Sequence, residues 1–182
     1  MIRDFAEGEI QQGLSCFDTD LNLETYLQKS YLKTASLIAN SAKAAAVLSG
    51  ETKEVANQIY SYGRNLGLAF QIVDDIIDFT SSTEVLGKPA GSDLASGNLT
   101  APVLYAMKEK PSLSILIERE FSEKGDLEEA LNMINDSDGI QKARELALHH
   151  SQLALKDLRC LSPSLATDSL AELTNYVIHR IK

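Results

Sequence analysis

The segment Gly67-Leu68-Ala69-Phe70-Gln71-Ile72-Val73-Asp74-Asp75-Ile76-Ile77-Asp78-Phe79 sets three carboxylates among large apolar side chains. Wound as a helix at about 100° per residue, Tyr60, Arg64, Gly67, Gln71, Asp74, Asp75 and Asp78 fall on one stripe roughly 100° wide. Leu68, Phe70, Ile72, Val73, Ile76, Ile77 and Phe79 fill the remaining circumference, and Phe70 and Phe79 read as core. A helix that is apolar around most of its surface is buried around most of it. Other helices must therefore surround this one, leaving only the narrow acidic stripe uncovered.

Elsewhere apolar residues recur at helical spacing and no stretch alternates over six or more residues, so the fold class is all-α. A first helix is expected over about Ile2 to Leu14. A loop at Phe17-Asp18-Thr19-Asp20 leads to a cap at Asp20 or Asn22 and a single long helix to Ser49, stopped by Gly50. The next helix runs from about Lys53 to Phe79. Thr80 to Asn98 is rich in Gly, Ser and Thr and reads as a long loop with one short helical turn. Thr100 caps a helix with Pro102 in its first turn, ending before Pro111. Shorter helices follow at about Ser112 to Phe121, Asp126 to Ile134, Asp138 to Arg159 and Leu165 to Ile181. Helices as long as the second and third pack antiparallel in a large bundle.

The chain has 182 residues, of which 44% are hydrophobic, enough for one core and too few for two ordinary domains. One unit over 1–182 is expected. A formal charge of -9 with no run of Lys or Arg argues against nucleic acid as a partner. An anionic ligand must be held by a few local cations or by metal ions on carboxylates. Cys16 and Cys160 stand far apart, and they and the three histidines are given no role. The longest apolar stretch, near Leu66 to Val73, is far shorter than the roughly 20 residues of a transmembrane segment. Met1 to Glu9 has neither the apolar core of a signal peptide nor the acid-poor character of a transit peptide, and already shows apolar and acidic faces. This opening is expected to lie inside a larger helical assembly.

Three carboxylates on one stripe repel one another and cannot all ionise unaided. Asp74 and Asp78 are i and i+4, and Asp75 and Asp78 are i and i+3, so their oxygens can reach one region above the helix, where a divalent cation resolves the repulsion. Mg²⁺ prefers few carboxylates and adds phosphate oxygens, which points to a phosphorylated substrate. Most acidic clusters on helices are solvated faces, but those are wide and mixed in sign, unlike this narrow apolar-flanked stripe. Gly67 is read as leaving room for a cavity on the stripe.

These residues resemble a known family. Gly67 to Phe79 looks like the second aspartate-rich motif of the trans-isoprenyl diphosphate synthases, and Leu86-Gly87-Lys88-Pro89-Ala90-Gly91-Ser92-Asp93-Leu94 looks like the loop that follows it. Gly8-Glu9 and Tyr31-Leu32-Lys33-Thr34-Ala35 match in order and spacing, and Gly97-Asn98-Leu99-Thr100-Ala101-Pro102 is similar to the long-chain, solanesyl-type members of plants and cyanobacteria. The resemblance implies the isoprenoid-synthase helical bundle and a Mg²⁺ cofactor. It implies that Asp74, Asp75 and Asp78 hold the metal, which bridges to the diphosphate of an allylic diphosphate. Lys33, Thr34, Gln71 and Lys88 would bind that diphosphate, with Asp74, Asp75 and Lys33 taking part in catalysis. The second substrate would be isopentenyl diphosphate, and the product a longer polyprenyl diphosphate.

The chain departs from the family in two ways. Asp74-Asp75-x-x-Asp78 is its only motif of that type, and the first aspartate-rich motif with its arginines lies upstream of the Gly8-Glu9 match in complete members. The chain is therefore expected to be the C-terminal part of a synthase, lacking the N-terminal helices and inactive alone, or else a non-catalytic partner of a full-length homologue. A homodimer or such a heterodimer is implied, and a plastid location. Secondly, Asn98 stands where many members have lysine. A class I terpene cyclase is the remaining alternative, but its second motif normally has an Asn/Asp-Ser/Thr-Glu pattern.

Overall fold

The structure is a computed structural model and describes residues 2–81 and 89–180. Among these it is helical without a strand. In chain order the helices are α1 (Ile2–Leu14), α2 (Leu23–Ser30), α3 (Ser36–Leu48), α4 (Lys53–Thr80), α5 (Ser92–Ala95), α6 (Ala101–Glu109), α7 (Leu113–Glu118), α8 (Asp126–Asn135), α9 (Gly139–Asp157) and α10 (Leu165–His179). No helix is long and apolar enough to cross a membrane.

As its pattern predicts, α4 is the central helix. It packs against α3 on one side and α9 on the other, with α6 and α10 laid over α9. Leu68, Ala69, Ile72, Val73 and Ile76 are fully buried, Phe79 joins the core, and Phe70 is half-buried beneath the Arg180 guanidinium, 4.4 Å from its ring centre. Two of the expected caps are present. Asn22 accepts from the Thr25 N–H at 2.9 Å, and Gly50, at φ +78°, follows α3 where a left-handed residue closes a helix. Thr100 occupies the N-cap position of α6, but its hydroxyl makes no capping bond.

The long helix expected from Asn22 to Ser49 is not uniform. Between α2 and α3, Tyr31–Ala35 forms one turn of π-helix, closed by the Ser36 N–H bonding the Tyr31 carbonyl five residues back. Such a turn admits an extra residue without breaking the helix, and it tends to occur where side chains must be re-aimed. The turn contains Lys33 and Thr34. The helix expected at Ser112 to Phe121 also ends early, because Glu120 and Phe121 take positive φ, 55° and 52°, and Phe121 turns its ring edge-on to Phe17 at 6.0 Å.

Gly67 does not open a cavity. A Cβ there would lie 2.5 Å from the Ala35 Cα, and one on Gly63 would lie 2.8 Å from the Ala39 Cα. The two glycines, one turn apart, form a seam on which the π-turn and α3 press directly against the α4 backbone. On the opposite side α4 is tied to α9 by a buried polar contact. Asn65 gives its amide N–H groups to Ser61 and Asp157, so its Oδ1 accepts from Nδ1 of His150 at 3.0 Å. Burial lowers the His150 pKa to about 4, so the ring is neutral and serves packing.

The seam makes a test. Gly67→Ala gains helix propensity but forces two backbones apart, and should lower the urea unfolding free energy by about 1–3 kcal/mol. Gly13→Ala, with nothing within 4 Å of the new methyl, should instead raise it by up to about 1 kcal/mol.

Candidate functional site

An open polar pocket of about 230 Å³ is lined by Gln12 of α1, by Tyr26, Lys29, Ser30 and Lys33, by Gln71, Asp74 and Asp75 of α4, and by Asp93, Asn98 and Thr100. The glycine seam places its central contact. With Ala35 against Gly67, the Thr34 hydroxyl reaches Gln71 Oε1 at 2.8 Å. Gln71 then donates through Nε2 to Asp75 Oδ1 at 2.9 Å, and the Tyr26 hydroxyl donates to Asp75 Oδ2. Asp75 is thus a buried carboxylate with a fixed orientation.

Lys33 leaves the π-turn toward α1. Its stem crosses Gly8, where a Cβ would come within 2.7 Å of the lysine Cγ. Its ammonium reaches Glu9 at 2.9 Å and Gln12 Oε1 at 2.7 Å. The matched pair Gly8-Glu9 therefore has a physical role: one residue lets the lysine pass and the other receives it.

The three motif aspartates face different neighbours. Asp74 is exposed and pairs with Arg180 at 3.5 Å. Asp75 is held as described. Asp78 is buried and holds the following loop: it accepts from the Ser92 hydroxyl at 3.0 Å and the Asp93 N–H at 3.2 Å, while its carbonyl accepts from Gly91 N–H at 2.8 Å. The expected convergence of all three is not what the structure has. Among the described residues, no three carboxylate, imidazole or thiol groups stand close enough to share an ion. The reason is electrostatic: each carboxylate finds its own donor, which keeps three negative groups apart. Lys88 lies outside the described residues.

Sequence reasoning passed over Tyr26, Lys29 and Thr100. A signal for the first two existed, since Tyr26, Lys29, Ser30 and Lys33 are spaced i, i+3, i+4 and i+7 and so share a face with the motif lysine. Thr100 read as a cap and as part of the run Gly97 to Pro102, without a role in the site.

Burial raises the Asp75 pKa from 3.8 to about 7, against the opposing hydrogen bonds from Tyr26 and Gln71, and the nearby Asp93 and Asp74 push the same way as burial. In the absence of metal the folded protein thus keeps a proton that the unfolded chain releases. Stability in chelator should be greatest at or below pH 3.8 as far as this group is concerned, fall as pH rises toward about 7, and level off above. Urea midpoints across that range check this, and Asp75→Asn should flatten the slope.

Comparison with known proteins gives the family. The Polyprenyl synthetase family description matches residues 1–134. A prenyl transferase of Synechocystis sp. is 62% identical over the whole chain, which covers 56% of that protein. The chloroplastic solanesyl-diphosphate synthase 2 of Oryza sativa is 51% identical, again over the whole chain and 45% of the relative. A polyprenyl synthase from Caulobacter crescentus, solved with calcium and isoprenyl diphosphate, superposes with a TM-score of 0.89 at 32% identity, covering 99% of this chain and 56% of that one. The chain spans about half the length of the curated relatives it matches. Matched along most of its sequence and nearly all of its backbone, it belongs to the polyprenyl synthetase family.

Proposed function

We propose that this chain forms the part of a prenyltransferase site that binds and ionises an allylic diphosphate, and that the complete protein joins isopentenyl diphosphate to it to make a longer polyprenyl diphosphate. One observation carries this reading. Lys33 of the π-turn, distant in sequence, joins Gln71, Asp74 and Asp75 of α4 in lining a single polar pocket, with Thr34 fixing Gln71 from behind.

In this reaction the allylic C–O bond breaks, the isopentenyl double bond attacks the allylic carbon, and a proton leaves to the departing diphosphate. Negative charge builds on that leaving group. The Lys33 ammonium stabilises it as a point charge, and the Gln71 amide adds a neutral hydrogen bond. By resemblance Lys88 would contact the same diphosphate. By resemblance, too, Asp74, Asp75 and Asp78 would hold Mg²⁺, which requires them to turn from the separate donors they take here. Their hard oxygens fit an ion that takes few carboxylates and completes its shell with water and phosphate oxygens. When bound, the ion would withdraw electron density from the leaving diphosphate. The calcium and isoprenyl diphosphate of the Caulobacter synthase support a divalent cation here.

Ile2, at 90% exposure, Leu14 of α1 and Leu48 of α3 present apolar surface. Such surface supports a cover of further helices, from the same protein or from a second copy. It equally favours the second reading, a non-catalytic partner of a full-length synthase. The chloroplastic rice relative supports a plastid location.

Titration calorimetry of the chain with inorganic diphosphate in Mg²⁺ tests the site. Asp74→Ala and Asp75→Asn should each weaken binding at least tenfold, about 1.4 kcal/mol. Unchanged binding in both variants would sink the assignment.

A further inference from the structure

Two groups in the pocket take no part in the site as read so far. Lys29 is only 5% exposed, yet among the described residues its one hydrogen bond goes to a neutral partner, Oδ1 of Asn98, at 2.8 Å. Lysine is almost never so buried without a paired anion, and its ammonium has three donors to satisfy. No carboxylate among the described residues is in ion-pair contact with it. Burial pulls its pKa down, and the charge of Asp75 pulls it partly back. The second group is the Thr100 hydroxyl. Thr100 is 1% exposed, lines the same pocket, and among the described residues its Oγ1 has no hydrogen-bond partner. A buried ammonium and a buried hydroxyl, both short of acceptors and both on one pocket, describe the recognition surface for a polyanion rich in acceptor oxygens.

Asn98 links the two. It lies two residues before Thr100 and receives Lys29. The loop side chain is neutral, and the positive charge comes from the helix that faces it. We propose that Lys29, with Thr100, is a diphosphate-binding group of this site, supplying from α2 the cation that Asn98 does not carry. The inference rests on the diphosphate reading above and extends it to Lys29, which the motifs do not contain, and to the Thr100 hydroxyl. Asn98 acts as a positioning residue, holding the ammonium toward the pocket, and Lys33 approaches from the same helical face one turn on.

The test is calorimetric titration of the whole chain with inorganic diphosphate in Mg²⁺, with the thermal midpoint recorded for each variant. Lys29→Met should bind at least tenfold more weakly while the midpoint holds or rises, because an ammonium has left a buried place. Adding Asn98→Lys to it should restore most of the affinity, which a packing role for Lys29 does not foresee. Thr100→Val should raise the midpoint, by replacing an orphaned hydroxyl with a methyl, and weaken diphosphate several-fold. Should Lys29→Met fail to fold, Lys29→Gln keeps the length and removes the charge, with the same expected loss. If Lys29→Met and Thr100→Val bind as the parent does while Asp75→Asn does not, Lys29 is structural and this proposal is overturned with the site intact. If Asp74→Ala and Asp75→Asn also bind as the parent does, or the parent binds no diphosphate, the site reading fails and takes the proposal with it.

Discussion

The contact on which the rest depends is the seam where the backbone of α4 meets the π-turn and α3. Two missing side chains, at Gly63 and Gly67, allow it, and a Cβ at the second would lie 2.5 Å from the Ala35 Cα. From that approach follows the 2.8 Å bond from Thr34 to Gln71, and from Gln71 the 2.9 Å bond to Asp75. The carboxylate that anchors the pocket is thus oriented by helix packing rather than by its own helix. An error of one ångström in the seam reaches the acid through two hydrogen bonds, since packed interiors transmit displacement rather than absorb it.

Around this seam the protein manages charge by local pairing. A chain of net charge -9 has little long-range attraction for a phosphorylated ligand. Its cations are placed individually: Lys33 over Gly8 against Glu9 and Gln12, Lys29 buried beside Asn98, Arg180 across Phe70 and near Asp74. The buried acid and the buried ammonium both carry desolvation costs that folding alone does not recover. The proposed ligand, bringing phosphate oxygens and a divalent ion, would offset both and, by binding only the folded state, would stabilise it.

How far this was legible in the sequence differs from element to element. The apolar circumference of α4 required a surrounding layer, and α3 and α9 supply it. Asn22 and Gly50 were readable as helix ends because capping depends on local backbone chemistry. The π-turn was not, since one extra residue inside a long helix leaves the apolar pattern on both sides almost unchanged. Gly67 was assigned to the stripe correctly by angle and wrongly by purpose, because an absent side chain looks the same whether it admits a ligand or a neighbouring helix.

The sequence by itself determined the all-helical class, the central position of α4 and the family, because helical periodicity and ordered motifs are properties of neighbours along the chain. Which neighbour covers each face was decided only by tertiary structure. Asp75 turns to Tyr26, Asp78 to the loop at Ser92 and Asp93, and Asp74 to Arg180. Lys29 is buried by segments far from it in sequence, of which Asn98, 69 residues away, is the one it bonds. Periodicity states which side chains share a face, but the desolvation and the hydrogen-bond partners that set their chemistry come from whatever the fold lays against that face.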